Sequence, residues 1–336
     1  MRHRQLTLSP YFHPTSVVLV DDNEAFLQSL TLEMPTNIAF HGFTSPEAAL
    51  DFLNEPIALE PLVDRCFSID RRDGEAFIHL DFGVIEREIN HLERFRRVSV
   101  VLVDYAMPSV DGLQFCERLR DPYARRAMLT GVADEKLAVE AFNAGLIHRF
   151  IPKQKASSVE ALIAFVAELE RDYFQQYVAR LRTTLSMDPP GFLVDPVIAV
   201  QVHRLMQEER VAEYYLVTDP PGFLMLRADG TVLRLLLLDP DAHARQIDFV
   251  RRFDAPTDLR QGIERGELAG MFSDDSPADY FGDESYPWHE CVVPAQRIEG
   301  QQSWLVALVR DAAADVDFDP ARSSYDAYLA GLTSAR

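Results

Sequence analysis

The feature that most constrains this chain is a set of short apolar runs, each stopping at a polar or charged residue. Ser16–Val20 (SVVLV) ends abruptly at Asp21-Asp22, and Val98–Val103 (VSVVLV) ends at Asp104. Ala127–Leu129 ends at Thr130, and Ile147–Ile151 ends close to Lys153. Runs that are apolar throughout and rich in β-branched residues read as parallel strands buried on both faces, because a strand with one wet face would alternate. Ile38–Phe43 adds a further strand. Helical stretches lie between them. One carries Phe26, Leu27, Leu30 and Leu32, and another opens at Ser45-Pro46-Glu47 with a serine cap and proline at the first position. Leu113–Leu119 and Asp134–Ala144 complete the alternation. Strand and helix in turn predict an α/β fold, a doubly wound parallel sheet with its function at the carboxyl ends of the strands.

At 336 residues the chain has room for about two domains. We read residues 1–15 as an N-terminal tail and 16–156 as the sheet domain. About 44 residues, near 54–97, interrupt that domain where a connection of roughly two to six is usual. This insertion contains a candidate hairpin around Arg71-Arg72-Asp73-Gly74 and a short helix with Ile85, Ile89 and Leu92 on one face, and is expected to pack on the sheet domain. Residues 157–187 contain no proline or glycine up to Met187, and Leu162, Val166, Leu169, Tyr173, Tyr177 and Leu181 recur at three- and four-residue steps. That stripe suits a two-chain coiled coil, or packing on the carboxyl-terminal domain. Residues 188–336 read as an α+β domain around an antiparallel sheet, with strands at Glu213–Val217, Phe223–Arg227, Thr231–Leu238, Glu290–Ile298 and Ser303–Arg310.

Charge narrows the function. There are 33 basic and 53 acidic residues, a net charge of −20, and residues 188–336 alone hold 26 acids against 13 bases. Such a surface repels phosphates, which argues against a nucleic-acid partner. No apolar run approaches the length of about 18 residues that a membrane helix needs. The start lacks the apolar segment of a secretory signal. Cys66, Cys116 and Cys291 lie far apart and form no CxxC pair, so reduced thiols and a cytoplasmic location are expected.

The chemistry gathers at the strand ends. Asp21 and Asp22 follow the first strand and Asp104 the third, and in a flavodoxin-like order those two strands are neighbours. Clustered carboxylates repel unless a hard cation joins them, and Mg²⁺ suits ligands that are all oxygen. Thr130 offers a hydroxyl and Lys153 an ammonium; Lys136, Lys153 and Lys155 are the only lysines in the sequence. Acids, cation, hydroxyl and lysine make a site for phosphoryl transfer to a carboxylate nucleophile. At this point residues of about 16–157 resemble the receiver domain of two-component response regulators. Val20-Asp21-Asp22-Asn23 resembles the family's acidic pair. Asp104-Tyr105-Ala106-Met107-Pro108, followed by Asp111-Gly112-Leu113, resembles the segment around its phospho-acceptor. Met128-Leu129-Thr130-Gly131 and Asn143-Ala144-Gly145 are similar to later family segments, and Phe150 stands where the family has its switch aromatic.

The resemblance implies Asp104 as the residue phosphorylated by a sensor histidine kinase or phosphotransfer protein. It implies Mg²⁺ held by Asp22, Asp104 and the backbone carbonyl of Ala106, with Asp21 assisting. Thr130 and Lys153 would bind the phosphoryl oxygens, and Thr130 and Phe150 would form the switch. The receiver would catalyse its own phosphorylation and dephosphorylation. The chain departs from the pattern at Pro152-Lys153-Gln154, where the family usually has proline after the lysine. Ala106 and Val132 are apolar and cannot orient an attacking water, so slow loss of the phosphoryl group is expected.

The carboxyl-terminal half has no glycine-rich nucleotide loop and no separate catalytic motif. His289-Glu290-Cys291, beside Asp274, Asp275, Asp279, Asp283 and Glu284, reads as a strand entry after a solvated acidic loop. Phe223–Val232 bears some resemblance to the first hairpin of PAS sensors. The favoured reading is a phosphorylation-controlled switch whose output domain binds a protein partner or forms a homodimer, through the 157–187 helix or the last receiver helix. The alternative is a receiver-gated enzyme, or a PAS-like small-molecule sensor, with its site in residues 188–336.

Overall fold

The computed structural model describes residues 7–56, 62–72, 75–130, 135–153, 159–185, 190–271, 288–310, 312 and 318–334. The chain divides into two compact units. One comprises Pro14–Glu60, Leu92–Arg180 and Tyr328–Arg336; the other comprises Met1–His13, Pro61–His91 and Leu181–Ala327.

The first unit alternates β1 (Ser16–Val20), α1 (Glu24–Glu33), β2 (Ala39–Phe43), α2 (Pro46–Asn54), β3 (Val98–Asp104), α3 (Gly112–Arg118), β4 (Arg125–Thr130), α4 (Glu135–Asn143) and β5 (Arg149–Pro152). It continues into α5 (Val159–Leu185). The sheet order is β2-β1-β3-β4-β5, and every neighbouring pair is parallel. This is the flavodoxin-like order, with β1 and β3 side by side. Side chains of a strand point alternately to opposite faces, so a run that is apolar throughout serves two cores. Val17, Leu19, Val100, Leu102, Leu129 and Ile151 face one, closed by Leu27 and Leu30 of α1 and by Leu162, Val166 and Leu169 of α5. Val18, Val20, Val101, Val103 and Met128 face the other, closed by Leu50 of α2, Phe115 of α3 and Ala141 of α4. Each Val or Leu buried in this way contributes about 1.5–3 kcal/mol relative to leaving it in water.

Two sequence expectations are corrected here. The helix read over 157–187 is α5, of 27 residues, and its first half closes the sheet domain, where one expectation is a two-chain seam. Leu162, Val166, Leu169 and Tyr173 are buried within the single chain, so that half of the stripe is not free to form a two-chain seam. The side chains of Tyr177 and Leu181 lie outside the described residues. The insertion is ordered as a hairpin, Phe67–Arg72 with Glu75–Leu80, and a helical turn at Gly83–Arg87. Pro61–His91 nevertheless groups with the other unit rather than with the sheet domain that it interrupts. Ile85 and Ile89 are buried, but Leu92 is exposed, because the segment breaks into 3₁₀ turns after Arg87 and the helical spacing is lost.

The second unit carries α6 (Pro196–Glu208), β6 (Val211–Thr218), β7 (Pro221–Arg227), β8 (Val232–Leu238), α7 (Pro240–Arg252), α8 (Thr257–Glu264), β9 (Leu268–Gly270), β10 (Val292–Glu299) and β11 (Ser303–Arg310). Its antiparallel sheet has seven strands. The order runs from the Tyr11–Phe12 strand through β6, β7, β8, β11 and β10 to β9. β8 is buried along its whole length, as its seven successive residues VLRLLLL suggest for a central strand. Among the described residues, no helix is long and apolar enough to cross a membrane.

Candidate functional site

The acids stand where the first and third strands run out. β1 is buried at every position, and the ladder extends one residue further as Asp21 N–H donates to the Phe43 carbonyl at 3.1 Å. The chain then turns: Asn23 N–H donates to Asp21 Oδ1 at 3.0 Å, and the Asn23 side chain caps α1 by accepting from Phe26 N–H at 3.1 Å. Asp104 is the last residue of β3. After it, Gly112 N–H donates to the Tyr105 carbonyl at 3.0 Å and Asp111 caps α3. Gly112 passes so close to the strand end that a Cβ would lie 2.6 Å from the Asp104 carbonyl oxygen. Only glycine fits a backbone approach of that kind.

Lys153 follows β5 and brings the acids together. Its Nζ lies 2.8 Å from Asp104 Oδ2 and 2.9 Å from Asp21 Oδ2. Both carboxylates are buried, whereas Asp22 is exposed, and ligand oxygens of all three lie within 4.8 Å of one another. Burial pushes the Asp104 carboxyl up from its ordinary value, and the Asp21 charge adds to that; the bond to Lys153 opposes it without cancelling it. Burial alone would lower the Lys153 ammonium, but bonds to Asp104 and Asp21 outweigh it and raise its pKa. Asp21 Oδ2 is buried and, apart from its ion pair with Lys153, has no hydrogen-bond donor. A hard oxygen left short of partners beside two more carboxylates fits a small divalent cation.

Comparisons with known proteins point to one family. The family model for the response regulator receiver domain matches residues 85–166, which contain Asp104, Thr130 and Lys153. The chain is also similar to the Legionella pneumophila response regulator LqsR, with 31% identity over 98% of this chain and 97% of that one, at a TM-score of 0.74. The chain belongs to the response regulators. A receiver-domain protein of Clostridium thermocellum matches 51% of this response regulator and 98% of its own chain, at 14% identity and a TM-score of 0.31. An uncharacterized protein of Neptuniibacter caesariensis matches 50% of it and 96% of its own chain, at 22% identity and a TM-score of 0.35. No curated protein matches it.

The other residues singled out in the sequence are placed less completely. Thr130 closes β4 with its backbone opposite Pro152, next to the strand end that bears Asp104. Its side chain lies outside the described part, as do Gly131 and Val132. Ala106 is exposed two residues beyond Asp104, and its backbone donates to the Asp104 carboxylate. Phe150 is exposed on β5. In the output unit His289 and Glu290 are exposed, and the acids from Asp274 to Glu284 lie outside the described residues. One residue at the site was not assigned from the sequence. The Phe26 ring lies beside Lys153, 127 positions earlier in the chain, and nothing local to either residue signals the pairing.

Proposed function

We propose that this response regulator takes a phosphoryl group onto Asp104 from a sensor histidine kinase or phosphotransfer protein, in a Mg²⁺-dependent reaction in the cytoplasm. The observation that carries this reading is the junction of Lys153 with Asp21 and Asp104, at 2.9 and 2.8 Å, beside the third carboxylate. An Asp104 carboxylate oxygen attacks phosphorus and forms the new bond. The bond from phosphorus to the donor's imidazole nitrogen breaks, and that nitrogen keeps the electron pair. Burial strips solvent from the Asp104 carboxylate, so less water must be displaced as it attacks. The Lys153 ammonium meets the charge on the phosphoryl oxygens, and the Thr130 hydroxyl donates to another of them. Asp21, Asp22, Asp104 and the Ala106 carbonyl would hold Mg²⁺, which when bound supplies Lewis-acid charge to the phosphoryl group.

Phosphorylation is then read out as a shift between two states, with Thr130 drawn toward Asp104 and Phe150 leaving its exposed position. The output is contact with another protein or a second copy of this chain. The 26 acids against 13 bases of residues 188–336 disfavour DNA. The test is acetyl phosphate with Mg²⁺ on wild type and Asp104→Ala, with intact mass and oligomeric state followed together. Wild type gains the phosphoryl group, while the variant, or wild type with Mg²⁺ chelated, gains none. Equal labelling of the variant overturns the assignment of Asp104.

A further inference from the structure

Besides its two aspartates, Lys153 has an aromatic neighbour: Nζ lies 5.7 Å from the centroid of the Phe26 ring. The face of an aromatic ring is negative and attracts a cation within about 6 Å. Its attraction comes from the ring quadrupole and not from an ionisable group. Phe26 is set there by the turn that presents the acids. Asn23 accepts from Phe26 N–H at 3.1 Å and donates from its own N–H to Asp21 Oδ1 at 3.0 Å, so one turn fixes both Asp21 and the first turn of α1. The ring is half-buried and rests against the core that includes Leu27, Leu30 and Ile151. Ile151 is two residues from the lysine, so both partners of the contact are anchored in the same core.

The aspartate anchors of Lys153 do not stay constant through phosphorylation. Asp104 loses its carboxylate charge as its oxygen bonds to phosphorus, and the ammonium must let go of that group and take up a phosphoryl oxygen. The attraction of the ring is unchanged by that event. On the reading of Asp104 as phosphoryl acceptor, we infer that Phe26 is a positioning residue for the transfer, its ring keeping the Lys153 ammonium at the strand ends while its carboxylate partner is consumed.

The test uses the full chain and acetyl phosphate with Mg²⁺. An Asp104 oxygen bonds to phosphorus as the bond from phosphorus to the acetyl oxygen breaks, and acetate leaves with the electron pair. Rates are measured across acetyl phosphate concentrations for wild type, Phe26→Leu, Phe26→Tyr, Lys153→Ala and the Phe26→Leu/Lys153→Ala double variant. Phe26→Leu should lower the saturating rate about two- to five-fold, equivalent to about 0.5–1 kcal/mol, and leave the half-saturating concentration unchanged. Phe26→Tyr, which keeps the ring, should restore the rate. With Lys153 already removed, Phe26→Leu should cost nothing further. Pentafluorophenylalanine at position 26 keeps the ring but reverses the charge on its face, and should lose as much as leucine does. If Phe26→Leu does not fold, the fluorinated ring decides alone. An undiminished rate with that ring, or the same loss from Phe26→Leu with and without Lys153, overturns the inference. Wild type that takes no phosphoryl group on Asp104 overturns the proposed function instead.

Discussion

Two buried aspartates, one in each unit, show opposite uses of the same side chain. Asp195, the N-cap of α6, is fully buried, and all its acceptor capacity is engaged. Val197 and Ile198 N–H donate to Oδ1 at 2.9 and 3.4 Å, and Gln301 N–H and Trp304 Nε1–H donate to Oδ2 at 2.6 and 2.9 Å. Burial alone would raise its pKa, but those bonds, led by Trp304 and Gln301, bring it below the usual carboxylate range. Asp104 is nearly as buried, and its pKa moves the other way, because burial and the neighbouring Asp21 outweigh Lys153. One carboxylate closes a fold; the other shares its ammonium with Asp21, whose Oδ2 has no further donor. A site that must take up a ligand is where such unmet demand is expected, and stability is the cost.

Removing the satisfied carboxylate should have the largest effect. Asp195→Asn places an amide against donors that need an acceptor, and should cost about 3 kcal/mol in thermal or denaturant unfolding. A loss under about 1 kcal/mol would break the contrast. Next comes His148, a half-buried base whose Nδ1 accepts from Arg126 N–H at 3.0 Å. Burial first, then the charges of Arg125 and Arg126, hold its pKa down to about 4, against an ordinary 6.5. Its contribution is fully present above pH 6.5 and is lost as pH falls toward 4, because the unfolded chain takes a proton that the folded one refuses. That loss amounts to roughly 2 kcal/mol, and His148→Gln should flatten the stability profile across this window. The smallest change has the opposite sign. Because the fold disfavours the Asp104 charge, Asp104→Asn should stabilise the Mg²⁺-free chain at neutral pH by on the order of 1 kcal/mol. Excess Mg²⁺ should reverse the ranking, since only the wild type retains the full ligand set. A variant that is less stable without Mg²⁺ would show that Asp104 is as well satisfied as Asp195.

The same contrast explains what the sequence makes legible. Runs such as SVVLV and VSVVLV are apolar throughout because both faces are buried, so the parallel strands and the acids that end them can be read directly. Asp229-Gly230 marks the β7–β8 hairpin for the same local reason: Gly230 has φ +86°, a conformation natural to glycine. Contacts between distant segments leave no such trace. The Tyr11–Phe12 strand is two residues long and pairs with Tyr214 and Tyr215, so no periodicity announces it. The satisfaction of Asp195 depends on Gln301 and Trp304, more than a hundred residues away. The allegiance of Pro61–His91 is likewise tertiary: the Gly83–Arg87 turn packs against β6, far away in the sequence.

That allegiance bears on how such a regulator can be taken apart. The chain leaves one unit for the other at residues 13/14, 60/61, 91/92, 180/181 and 327/328. No single cut yields either unit whole, and a fragment begun at residue 188 would lack both an edge strand of its sheet and the inserted hairpin. Signalling proteins commonly diversify by swapping an output cassette behind a shared input. Here the segments of the two units alternate along the chain, so neither can be exchanged as one continuous cassette.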